Sequence, residues 1–127
     1  MKKNPVLILV GLALAVLAGG AFAAGQDIAG TWLGKTEIPD AGLDEVTMVL
    51  VKTETGYAGT ASDTLGYLAQ NTELKDVKLE GAELSFNFFL VDGQPVVIRL
   101  KVEGDKMTGA WTTSDGGTGA MVFEKKK

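Results

Sequence analysis

Apolar and polar residues alternate along most of the chain, which is the pattern of half-buried β-strands rather than helices. Every second residue from Val96 to Val102 is apolar, and the positions between them are mostly charged. The run from Leu84 to Leu90 alternates in a similar way. Asp92-Gly93 lies between the two runs, and this pair of residues is typical of a tight hairpin. The two runs therefore predict an antiparallel strand pair.

The same reasoning predicts about eight strands separated by turns that contain glycine or proline. Further turns are expected at Pro39 to Gly42, Glu54-Thr55-Gly56, Glu80-Gly81, Gly104-Asp105 and Asp115-Gly116-Gly117. The other strands are expected over about 28–37, 45–53, 57–61, 77–80, 107–111 and 121–123. Such short strands at regular spacing are typical of an all-β sandwich or barrel.

Two features of this pattern stay open. In the second strand, Val46, Met48 and Leu50 compete with Val49 and Val51 for the inward face, and a shift of one residue would exchange the two sets. The segment 62–74 has no clear period. A segment of this length in a small domain is either a lid or a short helix over one end of a barrel.

Glycine stands two residues before each tryptophan, in Gly30-Thr31-Trp32 and in Gly109-Ala110-Trp111. A glycine on the same strand face as a large ring leaves a gap into which a neighbouring ring or backbone can pack, and it lets the strand bend. Bent strands allow a sheet to close, and closure removes the exposed edges that invite aggregation. We therefore predict an antiparallel up-and-down barrel rather than a sandwich.

The segment Ile28-Ala29-Gly30-Thr31-Trp32-Leu33-Gly34 resembles the first strand of the calycin group, the lipocalin-like barrels. Similar small exported bacterial domains contain, in the same order, segments like Gly59-Thr60, Ser62-Asp63, Val77-Lys78-Leu79 and Gly109-Ala110-Trp111. The resemblance implies a lipocalin-like barrel of about eight strands. The chain departs from lipocalins in having no disulfides, and Arg99 is not on the last strand, where lipocalins stack a cation over the tryptophan.

The amino terminus has the pattern of a secretory signal peptide over residues 1–23. Lys2 and Lys3 precede an apolar run from Val6 to Ala18, and small Ala21 and Ala23 form a cleavage site. The apolar run is shorter than the roughly 20 residues that span a membrane, so we expect no stable membrane insertion after cleavage. We predict an exported protein, periplasmic or secreted, in which residues 24–127 form the barrel domain.

Composition excludes several kinds of chemistry. The chain has no histidine and no cysteine, which excludes Ser-His-Asp and Cys-His catalysis, and zinc or copper sites of the usual kind. The net charge of −4 argues against nucleic-acid binding, and loss of Lys2 and Lys3 makes it more negative. Lys125-Lys126-Lys127 is expected to be a solvated tail. We expect no cofactor.

A carboxylate group near one turn is the main remaining candidate for catalysis. Asp40, Asp44 and Glu45 could in principle act as acids and bases or hold calcium weakly. Surface turns rarely bury carboxylates, so we expect these three side chains to be solvated. The sequence therefore predicts a protein that is not an enzyme.

The leading functional hypothesis is a monomer that binds a small apolar ligand inside the barrel, because eight strands leave room for filling side chains or one small ligand. The candidate ligand-binding residues are Trp32, Tyr57, Tyr67, Phe86, Phe88, Ile98, Leu100, Met107 and Trp111. The same side chains could instead form a packed core. Small inward residues at Gly59, Ala61 and Gly109 leave volume that either the core or a ligand could occupy.

The alternative hypothesis is a protein-interaction module, such as a protease inhibitor or an accessory subunit of an exported enzyme. Small bacterial barrels of the calycin type include metalloprotease inhibitors. In that case the segment Ala24-Gly25-Gln26-Asp27 would enter a cleft of the partner, as flexible termini permit.

Cleavage after Ala23 is directly testable. The full chain expressed with its own leader in a bacterial host should yield a mature protein that begins at Ala24, because only small side chains fit the positions before the cleaved bond. Intact-mass measurement of the exported protein identifies its first residue. A mass that still includes residues 1–23 would contradict cleavage after Ala23.

Overall fold

The computed structural model describes residues 26–127, which form an all-β, nearly closed barrel of nine antiparallel strands. The strands are β1 Gly30–Ile38, β2 Gly42–Thr53, β3 Gly56–Asp63, β4 Thr72–Glu73, β5 Lys75–Glu80, β6 Glu83–Phe89, β7 Pro95–Glu103, β8 Lys106–Thr113 and β9 Thr118–Lys125. The predicted barrel fold is thus confirmed. The predicted signal peptide and its cleavage site lie outside the described residues. Across residues 26–127, no helix has the length and apolar character needed to cross a membrane.

The sheet is a meander that closes in two places. Neighbouring strands follow the order β4-β3-β2-β1-β9-β8-β7-β6-β5, so the first and last strands pair with each other. Only Leu74 separates β4, which pairs with β3, from β5, which pairs with β6. The segment 72–80 is therefore one bent stretch that joins the two edges of the sheet. This bend explains why nine strands are found where about eight were predicted.

The second strand directs Val46, Met48 and Leu50 into the barrel. Val49 and Val51, their competitors in the sequence pattern, are 37% and 50% exposed. The inward face of the same strand extends back to position 44, because residues two apart lie on the same face of a strand.

Of the two structures left open for 62–74, the helix is not formed. Strand β3 continues to Asp63, and bends and turns carry the chain from 64 to 71 without a helix. Asp63 Oδ2 accepts a hydrogen bond from Tyr67 N at 3.1 Å, and Asp63 Oδ1 accepts one from Leu68 N at 3.0 Å. Val91 N donates to Tyr67 O at 2.9 Å. These bonds hold Tyr67 and the buried Leu68 against the barrel.

One end of the barrel, which we term the closed end, is sealed by residues 26–29. Ile28 is fully buried there, and its carbonyl accepts a hydrogen bond from Trp32 Nε1 at 3.0 Å. Tyr57 OH accepts from Ile28 N and donates to Asp27 Oδ1, both at 3.2 Å. Gln26 Nε2 donates to Gly104 O at 2.7 Å. Residues 26–29 are therefore a docked plug rather than a free segment.

Lys126 and Lys127 at the carboxyl terminus are exposed, in line with the predicted solvated tail, whereas Lys125 is half-buried. Lys125 Nζ lies 5.8 Å from the centroid of the Trp32 ring, and Lys127 Nζ lies 3.0 Å from Asp105 Oδ2. Lys126 N donates to Thr31 O at 2.8 Å. Lys125, on the last strand, thus places a cation over the first-strand tryptophan.

Glycines allow large rings to lie flat on neighbouring strands, although not at the positions that the sequence pattern indicated. Phe123 covers Gly34, its partner in the β1–β9 register, and Trp111 covers Gly119, its partner in β8–β9. A Cβ atom at either glycine would overlap the ring. Gly109 instead permits close approach of its backbone to the carbonyl of Arg99.

Replacing Gly34 by alanine tests this ring packing. Gly34→Ala should destabilise the protein by about 1–3 kcal/mol, because the new methyl group forces the Phe123 ring from its place. In a protein that already carries Phe123→Leu, Gly34→Ala should lower the free energy of unfolding much less, because the ring atoms that the methyl group would overlap are gone. Chemical unfolding of the four proteins measures both costs, and equal costs would contradict the packing argument.

Candidate functional site

A cavity of about 210 Å³ occupies the half of the barrel opposite the plug. Its walls come from the last residues of β1 and β8 and the first residues of β2 and β7, which all lie at the end that we term the open end. Apolar lining residues include Val46, Met48, Ala61, Leu68, Phe86, Phe88, Val96, Ile98, Met121 and Phe123. Polar lining residues include Thr36, Asp44, Asp63, Gln94 and Thr113.

Five of the nine sequence-predicted ligand-binding residues lie together on this cavity. They are Tyr67, Phe86, Phe88, Ile98 and Trp111. Phe86 and Phe88 stand side by side on β6, with their ring centroids 6.2 Å apart. Their shared inward face follows directly from the alternation along that strand.

The other four predicted residues lie away from the cavity. Trp32, Leu100 and Met107 are almost completely buried in the core and are not part of the cavity lining. Tyr57 packs at the margin of the core, where its hydroxyl holds the plug. Alternation predicts which face of a strand is inward, but it gives no information about height along the barrel axis. These residues therefore belong to the fold rather than to the cavity.

Trp111 is fixed in the cavity wall by a buried hydroxyl that the sequence analysis did not single out. Trp111 Nε1 donates to Thr36 Oγ1 at 2.9 Å, and Thr36 Oγ1 donates to Ala120 O at 2.6 Å. Thr36 is buried on the inward face of β1. Because the indole N–H and the hydroxyl are both satisfied, the ring can present an apolar face to the cavity.

Asp44 is the main correction to the sequence-based interpretation. We expected it to be solvated near a surface turn, but it is only 4% exposed and lines the cavity. Its Oδ1 accepts hydrogen bonds from Leu65 N at 3.0 Å and from Thr64 Oγ1 at 3.4 Å. The missed signal was the register of β2, because residue 44 continues the inward face of Val46. Asp40 and Glu45 are exposed, as predicted.

The carboxyl of Asp63 lies beside that of Asp44. Asp63 pairs in register with Val46, so the two acids share the inner face of adjacent strands. Burial raises the pKa of Asp44 to about 6, and the hydrogen bond with Asp63 and the charge of Asp63 contribute to this rise. The hydrogen bond from Leu65 N partly opposes it. No lysine or arginine of the described residues lines the cavity. The pair can therefore share a proton or accept hydrogen bonds from a donor in the cavity.

Within the part of the chain that the structure describes, no three acidic side chains are grouped so that they could hold a metal ion. The site is an apolar chamber with an acidic pair in one wall.

Comparison of the sequence with known protein families and with curated proteins gives no match. Among solved structures, the chain is similar to a protein titled a de novo designed fluorescence-activating β-barrel, with a TM-score of 0.57 and 18% identity over 83% of this chain and 99% of that one. It also matches secretory abundant heat soluble protein 4 from Ramazzottius varieornatus, with a TM-score of 0.48 and 16% identity over 78% and 94% of the two chains. At this identity the first likeness shows the barrel fold alone.

The buried state of Asp44 predicts a pH dependence of stability. Because its pKa in the folded protein lies above the ordinary value, the folded state binds this proton more tightly than the unfolded state does. Asp44 should therefore lower the stability as pH rises from about 4 to about 6.5. Asp44→Asn removes this effect. The free energy of unfolding of the variant, minus that of wild type, should therefore increase by on the order of 2–3 kcal/mol as pH rises across that range.

Urea unfolding of both proteins at several pH values measures the difference. Asparagine can still accept the hydrogen bond from Leu65 N, so the loop contact is preserved. Asp40→Asn, in the exposed β1–β2 turn, is the matched control and should follow the wild-type profile. A constant difference between Asp44→Asn and wild type would contradict the assignment.

Proposed function

We propose that the protein is an exported, non-enzymatic barrel that binds a small apolar molecule in the cavity at its open end. The observation that carries this proposal is the cavity itself, about 210 Å³ of space lined mainly by apolar side chains in a barrel whose other half is filled. Binding sites for small molecules are commonly concave and apolar, with a few polar groups that set orientation.

The size of the cavity limits the ligand. A cavity of about 150 Å³ in another protein holds benzene. A cavity of about 210 Å³ therefore suits a compact molecule somewhat larger than one aromatic ring, such as a two-ring compound. Long acyl chains would extend beyond it.

The proposed contact surface consists of predicted residues that line the cavity, together with two methionines that the sequence did not indicate. Phe86, Phe88 and Trp111 provide large rigid faces, and Met48 and Met121 provide adaptable walls. Tyr67, on the docked loop, contributes to the wall nearest the open end. We assign Trp32, Tyr57, Leu100 and Met107 to the fold, since they line no part of this cavity.

The predicted signal peptide and the resemblance to the calycin group support the same proposal, since both are typical of exported barrels that carry small molecules. The alternative of a partner-inserted amino terminus gains no support from the described residues. Gln26 and Asp27, which that hypothesis requires to be free, are hydrogen-bonded to the barrel.

A side chain that fills the cavity should weaken binding without unfolding the barrel. The probe is 1-naphthalenemethanol, a neutral two-ring molecule, titrated into the mature protein while tryptophan fluorescence is followed. We expect one molecule to bind per chain, with a change in the Trp111 emission. Ala61→Phe, in the cavity wall, should weaken binding at least tenfold, because the new ring occupies the ligand volume.

Ala58→Phe is the matched control, since it lies on the outer face of the same strand. It should bind the probe as wild type does. Native mass spectrometry checks the stoichiometry. Loss of binding in both variants, or unchanged binding in Ala61→Phe, would count against the cavity as the binding site.

A further inference from the structure

The acidic pair in the cavity wall has chemistry that an apolar ligand alone does not use. Asp44 and Asp63 both line the cavity, and no basic side chain of the described lining lies with them. A carboxylate in a partly desolvated site is costly unless it meets a donor or an opposite charge. The cavity therefore contains negative charge without a protein counter-ion.

Asp44 has one carboxyl oxygen without a protein donor. The hydrogen bonds from Leu65 N and Thr64 Oγ1 both go to Oδ1, and within residues 26–127 no donor reaches Oδ2. A hydrogen bond between the two carboxyl groups requires that one of them is protonated, and both oxygens of Asp63 already accept from Tyr67 N and Leu68 N. The side chain of Asp44 is only 4% exposed. This buried acceptor in the cavity wall is suited to a donor supplied by the ligand.

We propose that the cavity selects a small organic cation, an aromatic or alkyl ammonium compound whose apolar body packs among Phe86, Phe88 and Trp111 and whose N–H groups donate to the Asp44–Asp63 pair. This inference rests on the proposed function and specifies the class of ligand for the same cavity.

The two carboxyl groups in the cavity wall favour a small organic cation over neutral and anionic ligands. An ammonium group brings several donors and a positive charge, and hydrogen bonds between charged groups are stronger than those between neutral ones. A ligand carboxylate would instead face two carboxyl groups, so fatty acids and other anions should be rejected. The aromatic faces that line the cavity also attract cations.

A matched ligand series tests the inference on the wild-type mature chain. The probes are 1-naphthylmethylamine, 1-naphthalenemethanol and 1-naphthoate, which share one ring system and differ in charge. Isothermal titration calorimetry at pH 7.5, above the pKa of about 6 of Asp44, measures the three dissociation constants. We expect the amine to bind at least tenfold more tightly than the alcohol and the carboxylate at least tenfold more weakly.

Asp44→Asn assigns the preference to the pair. In this variant the amine should bind less than about threefold more tightly than the alcohol, because one charge and the free acceptor are lost. Asp40→Asn removes an exposed acid in the β1–β2 turn and should keep the tenfold preference. It therefore controls for the general attraction of a negatively charged protein for cations.

The outcomes separate this inference from the proposed function. If the alcohol binds and the amine binds no better, or if the carboxylate binds best, the inference is overturned and the apolar cavity stands. If the preference for the amine is unchanged in Asp44→Asn, its assignment to the acidic pair is wrong. If none of the three probes binds, the proposed function itself fails.

Discussion

Closure of one antiparallel meander is the constraint on which the rest of this structure depends. The described chain has no helices to cover a sheet face, so its apolar side chains can be buried only inside a closed sheet. Pairing of β1 with β9 joins the first and last strands, and the bent segment 72–80 joins β3 to β6. Glycines at 34 and 119 let Phe123 and Trp111 lie over neighbouring strands inside that closed surface. No disulfide contributes, because the chain has no cysteine.

Closure creates an interior that the side chains fill unequally. At the closed end, Ile28 and Trp32 are fully buried and Lys125 lies over the indole ring, so this half is a packed core. At the open end about 210 Å³ is left unfilled. Apolar side chains that face this space lack packing partners on one side, and a molecule bound there would supply them.

The sequence predicted the barrel well because alternation reports directly on which face of each strand is buried. It also identified Phe86, Phe88, Ile98 and Trp111 as inward-facing residues, and all four line the cavity. It could not distinguish Trp111 from Trp32, because their local sequences are alike and their different heights in the barrel arise only from the strand stagger of the closed sheet. Asp44 was misplaced for a related reason. Two apolar sets competed for the inward face of β2, and only pairing with β1 and β3 decided between them.

A hollow, apolar open half is what distinguishes this barrel from one with a filled interior. Crystallography of the mature protein under xenon pressure can detect such a space, because xenon enters apolar cavities irrespective of the natural ligand. We expect xenon density bounded by Phe86, Phe88 and Trp111, and none in the packed half around Trp32 and Met107. Side chains that fill the open half, with no xenon bound there, would contradict it.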